Sequence, residues 1–326
     1  MRYIQSVLHP EAYHGFDKKG PFFEGWYFKL IDPSEEQRWC IIPGIYIAKN
    51  RTDSHAFIQV MNGVTGQSIY QSFDFNSFQT KPGKFEVQIA DNLFTANLIR
   101  VNITHPELHV VGELHFEGIT PWPVSLVSPG IMGWYGWVPG MECYHGVVSL
   151  DHCIKGWLEI DHERIDFSDG LGYIEKDWGK SFPKAWVWMQ TNHFDQFGTS
   201  LTASAAIIPW GKRTFDGFIA GLWTGGHLYR FATYTGARLE AYALTDHEVS
   251  LVFADRLQRL EVTARRVHGG LLQAPTVTQM DRRIMETISA QVRVKLMRRK
   301  GDGWNSVFEG TGRHAGLEVT GKLNRS

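Results

Sequence analysis

Several signals that mark common protein classes are missing from this sequence. The start, MRYIQSVLHPEAYHG, has no apolar core behind its positive charge, so we expect no secretory signal and a cytoplasmic location. Cys40, Cys143 and Cys153 are an odd number of cysteines without CxxC spacing, which predicts reduced thiols and no cysteine-based zinc site. The 33 Lys and Arg residues balance 34 Asp and Glu residues, so we expect no nucleic-acid partner.

Motifs of several enzyme classes are missing as well. The chain has no GxSxG elbow, no GxxxxGK(S/T) loop, no HExxH, and no GxGxxG between a strand and a helix. His109, Glu113, His115 and Glu117 alternate and would share one strand face, but spacing alone is weak evidence for a metal site. We therefore predict neither a catalytic nucleophile nor a phosphate loop, and no bound metal.

The sequence is rich in aromatic residues and glycine, in a pattern typical of β structure. Aromatics make up 13% of the chain, and there are 33 glycines. Hydrophobic residues recur mostly with a period of two, and turn signals such as NGVTG, KPGK and DQFG separate them. The predicted strands include residues 56–61, 85–90, 108–116, 187–194, 200–208 and 290–296. A short helix is an alternative only in a few places, for example within QMDRRIMET.

The polar, glycine-containing stretch HERIDFSDGLGYIEKDWG is the best candidate for a domain boundary, which we place near residue 170. We predict an all-β protein with an N-terminal β domain over residues 1–170 and a C-terminal β domain over residues 171–326. Interdomain clefts are favoured places for ligand sites, so we expect a ligand pocket between the two domains.

One long segment, residues 118–141, carries no charge at all. It is long enough to cross a bilayer as a helix, but four prolines and five glycines interrupt it, and such a backbone could not satisfy its own hydrogen bonds in lipid. We interpret it as an apolar loop or lid that faces a pocket, a neighbouring domain or a membrane surface. Its aromatic residues are Trp122, Trp134, Tyr135 and Trp137.

Three blocks carry candidate site residues. In PFFEGWYFKL, alternation places Glu24 on one strand face with Trp26 and Phe28, where burial would raise the pKa of the acid and keep it protonated. The alternative is that Glu24 caps a turn at Gly25 or pairs with a buried Arg. In GWYGWVPGMECYHGVVSLDH, Glu142 or His145 is a candidate acid or base, although a lone His in an apolar strand is more often a core residue.

The third block, GYIEKDWGKSFPKAWVWMQTNHF, contains acids followed by a wall of aromatic and amide side chains. Buried amides need partners and exposed indoles waste apolar area, so such a wall suits a ligand with an apolar body and a polar head. The alternative is a satisfied structural network at the domain boundary. The alternating residues are first Tyr173, Glu175 and Asp177, and then Trp186, Trp188, Gln190 and Asn192.

Together, FFEGWYFK, VPGMECYHGVVSLDH and GYIEKDWGKSFPKAWVWMQTNHF resemble the tocopherol cyclase family, and the similarity runs from about His14 to about Gly321. The plastid-targeting extension of plant members is missing, so the chain resembles a bacterial relative. The resemblance implies a pair of lipocalin-like antiparallel β-sandwich or barrel domains with the pocket between them. A looser resemblance to carotenoid hydratases rests on Tyr173, Glu175, Trp186 and Trp188.

In that family a chroman ring is closed without a cofactor: an acid protonates the double bond nearest the head of a prenylated hydroquinone, and the phenol oxygen captures the cation. Applied to this chain, the resemblance implies Glu175 as the acid, with Glu24 second and Asp177 third. Gln190, Asn192 and Tyr173 would hold the hydroxyls, and Glu142 or His145 would be the phenol base. The aromatic residues expected at the substrate are Trp26, Phe28, Trp178, Trp186 and Trp188.

The expected partner is a hydrophobic small molecule with an isoprenoid tail, together with peripheral membrane contact; the oligomeric state is not predicted. Two other functions fit the same residues. One is a non-catalytic carrier of an isoprenoid or another lipid, and the other is a hydratase, in which water captures the cation.

Overall fold

The computed structural model describes residues 2–324, without the side chain of Arg2, and strands dominate it. A short helix, α1, spans Arg2–Leu8. Short 3-10 helices lie at Arg51–Asp53, Phe75–Ser77, Gly133–Trp137 and Thr233–Thr235. Within residues 2–324, no helix has the length and apolar character needed to cross a membrane.

The strands cover most of the described chain. Those before Phe182 are β1 (Phe22–Ile31), β2 (Arg38–Ile47), β3 (His55–Asn62), β4 (Ser68–Asp74), β5 (Phe78–Thr80), β6 (Glu86–Ile89), β7 (Asn92–Thr95), β8 (Leu98–His105), β9 (Leu108–Glu117), β10 (Cys143–Ile160), β11 (Glu163–Asp166) and β12 (Leu171–Gly179). Those after it are β13 (Trp186–Thr191), β14 (Ser200–Trp210), β15 (Arg213–Thr224), β16 (His227–Ala232), β17 (Arg238–Leu244), β18 (Glu248–Ala254), β19 (Gln258–Arg265), β20 (Gly270–Ala274), β21 (Arg282–Lys300) and β22 (Gly303–Thr320).

The first compact unit runs to Phe182 and also contains Gly270–Ile284. Its antiparallel sheet has the strand order β4-β3-β2-β1-β12-β10-β9-β8-β7-β6-β5, with β11 beside β10. Phe28 of β1 packs against Phe94 of β7 and Phe116 of β9, with ring centroids 5.8 and 6.1 Å apart. Neither strand is a neighbour of β1 in that order, so the sheet folds over on itself. Burial of these rings between the two halves of the sheet forms the core.

The second compact unit comprises Pro183–Gly269 and the chain from Met285. Its antiparallel sheet has the strand order β16-β15-β14-β13-β22-β21-β19-β18-β17. Phe218 of β15 packs against Phe253 of β18 at 5.4 Å although the two strands are far apart in that order, so this sheet also encloses its own core.

The predicted all-β fold with two large antiparallel sheets is confirmed. The units divide at Phe182 and not at residue 170, because β12 pairs with β1 and β10 and so belongs to the first sheet. The helix considered within QMDRRIMET is wrong: β21 starts at Arg282, with Ile284 buried, Met285 exposed and Glu286 buried, which is the period of a strand.

Candidate functional site

Folding brings the first two sequence blocks and the start of the third, GYIEKDWG, together in one sheet, since β1, β10 and β12 are neighbours. The register sets Gly25 and His145 on either side of Asp177. Alternation then separates the acids onto two faces. Glu24 lies on the core face, and Glu175 and Asp177 lie on the opposite face together with His145. The two leading acid candidates, Glu24 and Glu175, are therefore not brought together.

Glu24 forms a buried ion pair on the core face. Its carboxylate accepts a hydrogen bond from the Lys176 ammonium, and both side chains are fully buried. The backbone N–H of His14 donates to Glu24 Oε2 at 2.9 Å, and His14 Nδ1 lies 3.0 Å from Oε1. Desolvation alone would raise the pKa of Glu24, but the charges of Lys176 and His14 outweigh it and lower the pKa. The expectation of a protonated Glu24 is wrong for this reason.

The aromatic residues around this pair serve the core. The Lys176 ammonium lies 4.5 Å from the ring of Trp26 and 4.7 Å from that of Trp178. The Trp26 indole N–H donates to Glu11 O at 3.0 Å, and His14 stacks on Trp178 at 4.3 Å. The structure thus places Trp26 and Trp178, like Phe28, among core side chains on the face opposite Glu175.

On the other face, four side chains form a connected polar chain. Asp177 Oδ1 lies 2.9 Å from His145 Nδ1, His145 Nε2 lies 3.5 Å from Glu175 Oε2, and the Tyr173 hydroxyl donates to Glu175 Oε2 at 2.5 Å. Because an ionised carboxylate only accepts, the contact with Asp177 places a hydrogen on Nδ1 of His145, while Nε2 faces Glu175. We call Asp177, His145, Glu175 and Tyr173 the relay.

Burial increases along the relay from Asp177 to Tyr173. The side chain of Asp177 is 29% exposed and that of His145 is 14% exposed, whereas Glu175 is buried and Tyr173 is fully buried. The relay therefore connects the partly exposed carboxylate of Asp177 to the carboxyl of Glu175, which is shielded from water. Such a gradient permits proton exchange with solvent at one end and water exclusion at the other.

Glu142 lies outside the relay. It precedes β10, its carboxylate accepts a hydrogen bond from Ser181 Oγ at 2.9 Å, and its carbonyl accepts from Lys180 N at 2.8 Å. These contacts hold the residue before β10 against the segment that follows β12. Tyr144 lies on the core face and stacks on Trp178 at 5.4 Å.

The wall of the third block lies in the second unit, on β13. Val187 and Met189 face the core of that unit, so the alternating residues Trp186, Trp188, Gln190 and Asn192 lie on the opposite face of the strand, where all four are buried. The Trp186 indole N–H donates to Glu318 Oε2 at 2.6 Å, and His193 Nδ1 lies 3.1 Å from Asn192 Oδ1.

Two groups could supply metal ligands by distance. One ligand atom from each of His145, Glu175 and Asp177 lies within 4.8 Å of the others, and the same holds for His109, Glu159 and His162. The first group is already linked internally through His145 and Asp177, so a metal is not needed to hold its shape. The absence of a metal stays a prediction.

Sequence reasoning missed three residues at this sheet. The Lys176 ammonium pairs with Glu24, His14 contacts the same carboxylate, and Lys29 is fully buried directly opposite Tyr173 in the register. The signal for both lysines was available, since Lys29 stands between Phe28 and Leu30, and Lys176 shares a strand face with Ile174 and Trp178. His14 carried no such signal, because its contact with Glu24 depends on how the N-terminal segment folds back.

Residues 118–141 form a loop in the first unit with both buried and exposed aromatics. Trp122 is buried, whereas Trp134 is 46% exposed, Leu126 68% and Val127 82%. The Trp137 indole N–H donates to Leu126 O at 2.8 Å, and the Tyr3 hydroxyl of α1 donates to Trp137 O at 2.7 Å. The loop is thus tied to α1 while its apolar tip faces solvent.

Comparisons with known proteins identify the family. The sequence matches the tocopherol cyclase-like family over residues 113–321. It is 28% identical to tocopherol cyclase, chloroplastic, of Zea mays, across 97% of this chain and 78% of that protein. It is 24% identical to probable tocopherol cyclase, chloroplastic, of Oryza sativa subsp. japonica, across 95% of this chain and 77% of that protein. A Nitrosomonas europaea protein assigned as AttH has a similar fold, with a TM-score of 0.51, 15% identity, and coverage of 97% of this chain and 96% of its own.

Proposed function

Because this chain belongs to the tocopherol cyclase-like family, we propose that it catalyses the cofactor-free, proton-initiated cyclisation of a prenylated hydroquinone to a chromanol. The observation that supports this most directly is the relay. It combines the buried carboxyl of Glu175 with His145, a base that lies 3.5 Å from it. The relatives in maize and rice are named as tocopherol cyclases, which supports the same reaction class.

Glu175 is the proposed acid. An alkene is a very weak base, so protonation needs a carboxylic acid in a site from which water is excluded. The Tyr173 hydroxyl donates a hydrogen bond to Oε2 of Glu175, which orients the carboxyl that transfers the proton. Transfer of that proton to the alkene forms a C–H bond and a tertiary carbocation, and leaves Glu175 as carboxylate.

His145 is the proposed route for proton return. The phenol oxygen attacks the cation, a C–O bond forms, and the phenolic proton must leave. His145 Nε2 accepts this proton while Asp177 stabilises the imidazolium through Nδ1, and transfer over the 3.5 Å gap restores Glu175. The cycle consumes no net proton, as an isomerisation requires.

The decisive experiment compares Glu175→Gln with the wild type on a panel of prenylated hydroquinones, with product masses as the readout. We expect wild-type products of unchanged mass, and a loss of turnover of roughly 100-fold to 10,000-fold in the variant, the range typical of one general acid. Circular dichroism and thermal unfolding of the variant establish that it is folded.

Each alternative function predicts a different result. Full turnover by Glu175→Gln would refute Glu175 as the acid. A product heavier by one water would identify a hydratase. Binding of the isoprenoid tail with no turnover of any substrate by the wild type would identify a carrier.

A further inference from the structure

Three side chains of the kinds that bind zinc meet where the hairpin of β10 and β11 packs against the start of β9. One ligand atom from each of His109, Glu159 and His162 lies within 4.8 Å of the others. Two imidazoles and one carboxylate form a donor set that suits divalent zinc and its neighbours among the transition metals. All three residues belong to the first unit, and none of them belongs to the relay. The group is therefore independent of the proposed reaction.

The strand register brings the three side chains together. Glu159 lies directly opposite Val111 of β9 and also directly opposite Arg164 of β11. His109 lies two positions from Val111, and His162 lies two positions from Arg164, which makes both histidines diagonal neighbours of Glu159. Diagonal neighbours on one face of a sheet are within reach of long side chains. The backbone of three strands thus determines this cluster.

The turn that carries His162 is fixed to β9. Asp161 and His162 are the two residues between β10 and β11, and their φ angles are 50° and 72°. The N–H of Asp161 donates to His109 O at 2.9 Å, and the N–H of His109 donates to Asp161 Oδ1 at 2.8 Å. Two-residue hairpin turns with positive φ favour Gly at the second position. A histidine there strains the backbone, and it places an imidazole beside Glu159.

The three side chains do not satisfy one another. His162 Nδ1 lies 3.9 Å from Glu159 Oε1, which is beyond hydrogen-bond distance, and the two imidazole rings stack with centroids 5.7 Å apart. Nδ1 of His109 is shielded from solvent and has no hydrogen-bond partner among residues 2–324. Arg164, the cation opposite Glu159, lies over the ring of Trp157 at 4.2 Å. In the relay, by contrast, imidazole and carboxylate are already hydrogen-bonded.

We infer that His109, Glu159 and His162 bind one divalent ion of the zinc class, which joins the turn between β10 and β11 to β9. Zinc bonds to nitrogen and oxygen are about 2.0–2.2 Å long, so the ligand atoms must move closer to one another. The side chain of His162 is 88% exposed and has room to do so. The sequence-based expectation of no bound metal came from the spacing on β9, which could not show ligands that strand pairing brings together.

The first test titrates the untagged, metal-free chain with zinc chloride by calorimetry. We expect one saturable site in the wild type and at least tenfold weaker binding by Glu159→Gln and by His162→Asn, since even an outer-shell partner of a bound metal is worth about 10–100-fold in affinity. Asn tolerates positive φ, so His162→Asn keeps the turn. The matched control is His115→Asn, which removes an exposed imidazole that contacts Glu113 on β9 and should leave zinc binding unchanged.

Two results of this titration would overturn the inference. The first is no saturable zinc binding by the wild type, or equal binding by the wild type, Glu159→Gln and His162→Asn. The second is binding that His145→Gln abolishes and His162→Asn retains, because the metal would then lie in the relay, whose His145, Glu175 and Asp177 also come within 4.8 Å of one another.

The second test measures thermal unfolding with and without zinc chloride. An ion that binds only the folded chain stabilises it, so zinc should raise the midpoints of the wild type and of His115→Asn. The midpoints of Glu159→Gln and His162→Asn should rise much less at the same zinc concentration. A rise of equal size in all four proteins would show that the stabilising ion lies elsewhere, and would overturn the inference.

Discussion

Glu24 and Glu175 lie on neighbouring strands but face opposite sides of one sheet, and their partners differ in kind. Glu24 is held by two basic groups, Lys176 and His14, in a site without solvent. Glu175 accepts a hydrogen bond from the Tyr173 hydroxyl and lies 3.5 Å from His145 Nε2. The first environment favours a permanent carboxylate, whereas the second can exchange a proton. This contrast supports the proposal that Glu24 serves stability and that Glu175 is the acid.

Glu24→Gln should destabilise the protein strongly without changing turnover per folded molecule. The substitution leaves the buried Lys176 ammonium without its counter-charge, and removing one partner of a buried pair costs about 3–5 kcal/mol. Denaturant unfolding measures this cost. The double variant Glu24→Gln/Lys176→Met should recover much of the loss, because no isolated charge remains. A single variant as stable as the wild type would contradict the assignment.

His152 should make stability depend on pH. Burial lowers its pKa from 6.5 to about 3. Its Nδ1 lies 2.9 Å from Ser149 Oγ, and Nε2 has no hydrogen-bond partner among the described residues. The unfolded chain then binds the proton more readily, so this contribution to stability is complete above pH 6.5 and is lost as the pH falls towards about 3.

The measurement compares unfolding free energies of the wild type and His152→Gln from pH 7 downwards. The wild type should lose stability relative to the variant by roughly 1.4 kcal/mol per pH unit below the histidine's unfolded pKa. The exposed His247 gives the control, and His247→Gln should follow the wild-type curve. Parallel curves for wild type and His152→Gln would show that His152 is not held neutral.

At the scale of strands, the sequence predicts on which face of a strand each side chain lies, but not which strands are neighbours in the sheet. Alternation correctly separates Glu24 from Tyr27, because the pleat fixes which side chains share a side. It contains no information on register, so the contact of His145 with Asp177, 32 positions apart, could not be derived. The same limit hid the contact of Lys176 with the N-terminal segment, where its ammonium donates to Ala12 O at 2.6 Å.

The sequence also does not show how much space surrounds each glycine of a strand, and two glycines in register give a matched pair of variants. Gly25 and Gly44 lie opposite each other on β1 and β2. A Cβ at Gly44 would lie 2.3 Å from the Phe57 ring and 2.7 Å from Glu24 O, whereas a Cβ at Gly25 would meet only ordinary contacts at 3.6 Å or more. Gly44→Ala should therefore destabilise by about 1–3 kcal/mol through overpacking, and Gly25→Ala by less than about 0.5 kcal/mol. Denaturant midpoints decide, and equal midpoints for the two variants would contradict this packing.

At the scale of the whole chain, the first unit contains a segment that the sequence order does not suggest. Gly270–Ile284 returns to it from beyond β19, and Gln59 and Ser68 bind the backbone of that segment. Contiguous boundaries are all that composition can predict, because a returning segment is recognised only by its contacts. The uncharged loop, by contrast, was recognisable at once, since charge is read directly from sequence.

That loop gives a prediction for the whole protein. The substrate proposed above is lipid-soluble and would be collected from a membrane. Leu126, Val127 and Trp134 expose apolar surface on a segment that carries no charge. We expect the protein to float with phosphatidylcholine vesicles, and binding to persist at high salt because it is not ionic.

The double variant Leu126→Ser/Val127→Ser should weaken vesicle binding at least tenfold, given about 1.5–3 kcal/mol for each buried aliphatic side chain. The control variants Val64→Ser and Val277→Ser alter exposed valines outside the loop and should leave vesicle binding unchanged. Vesicle binding that the double variant leaves intact would assign the loop a different role.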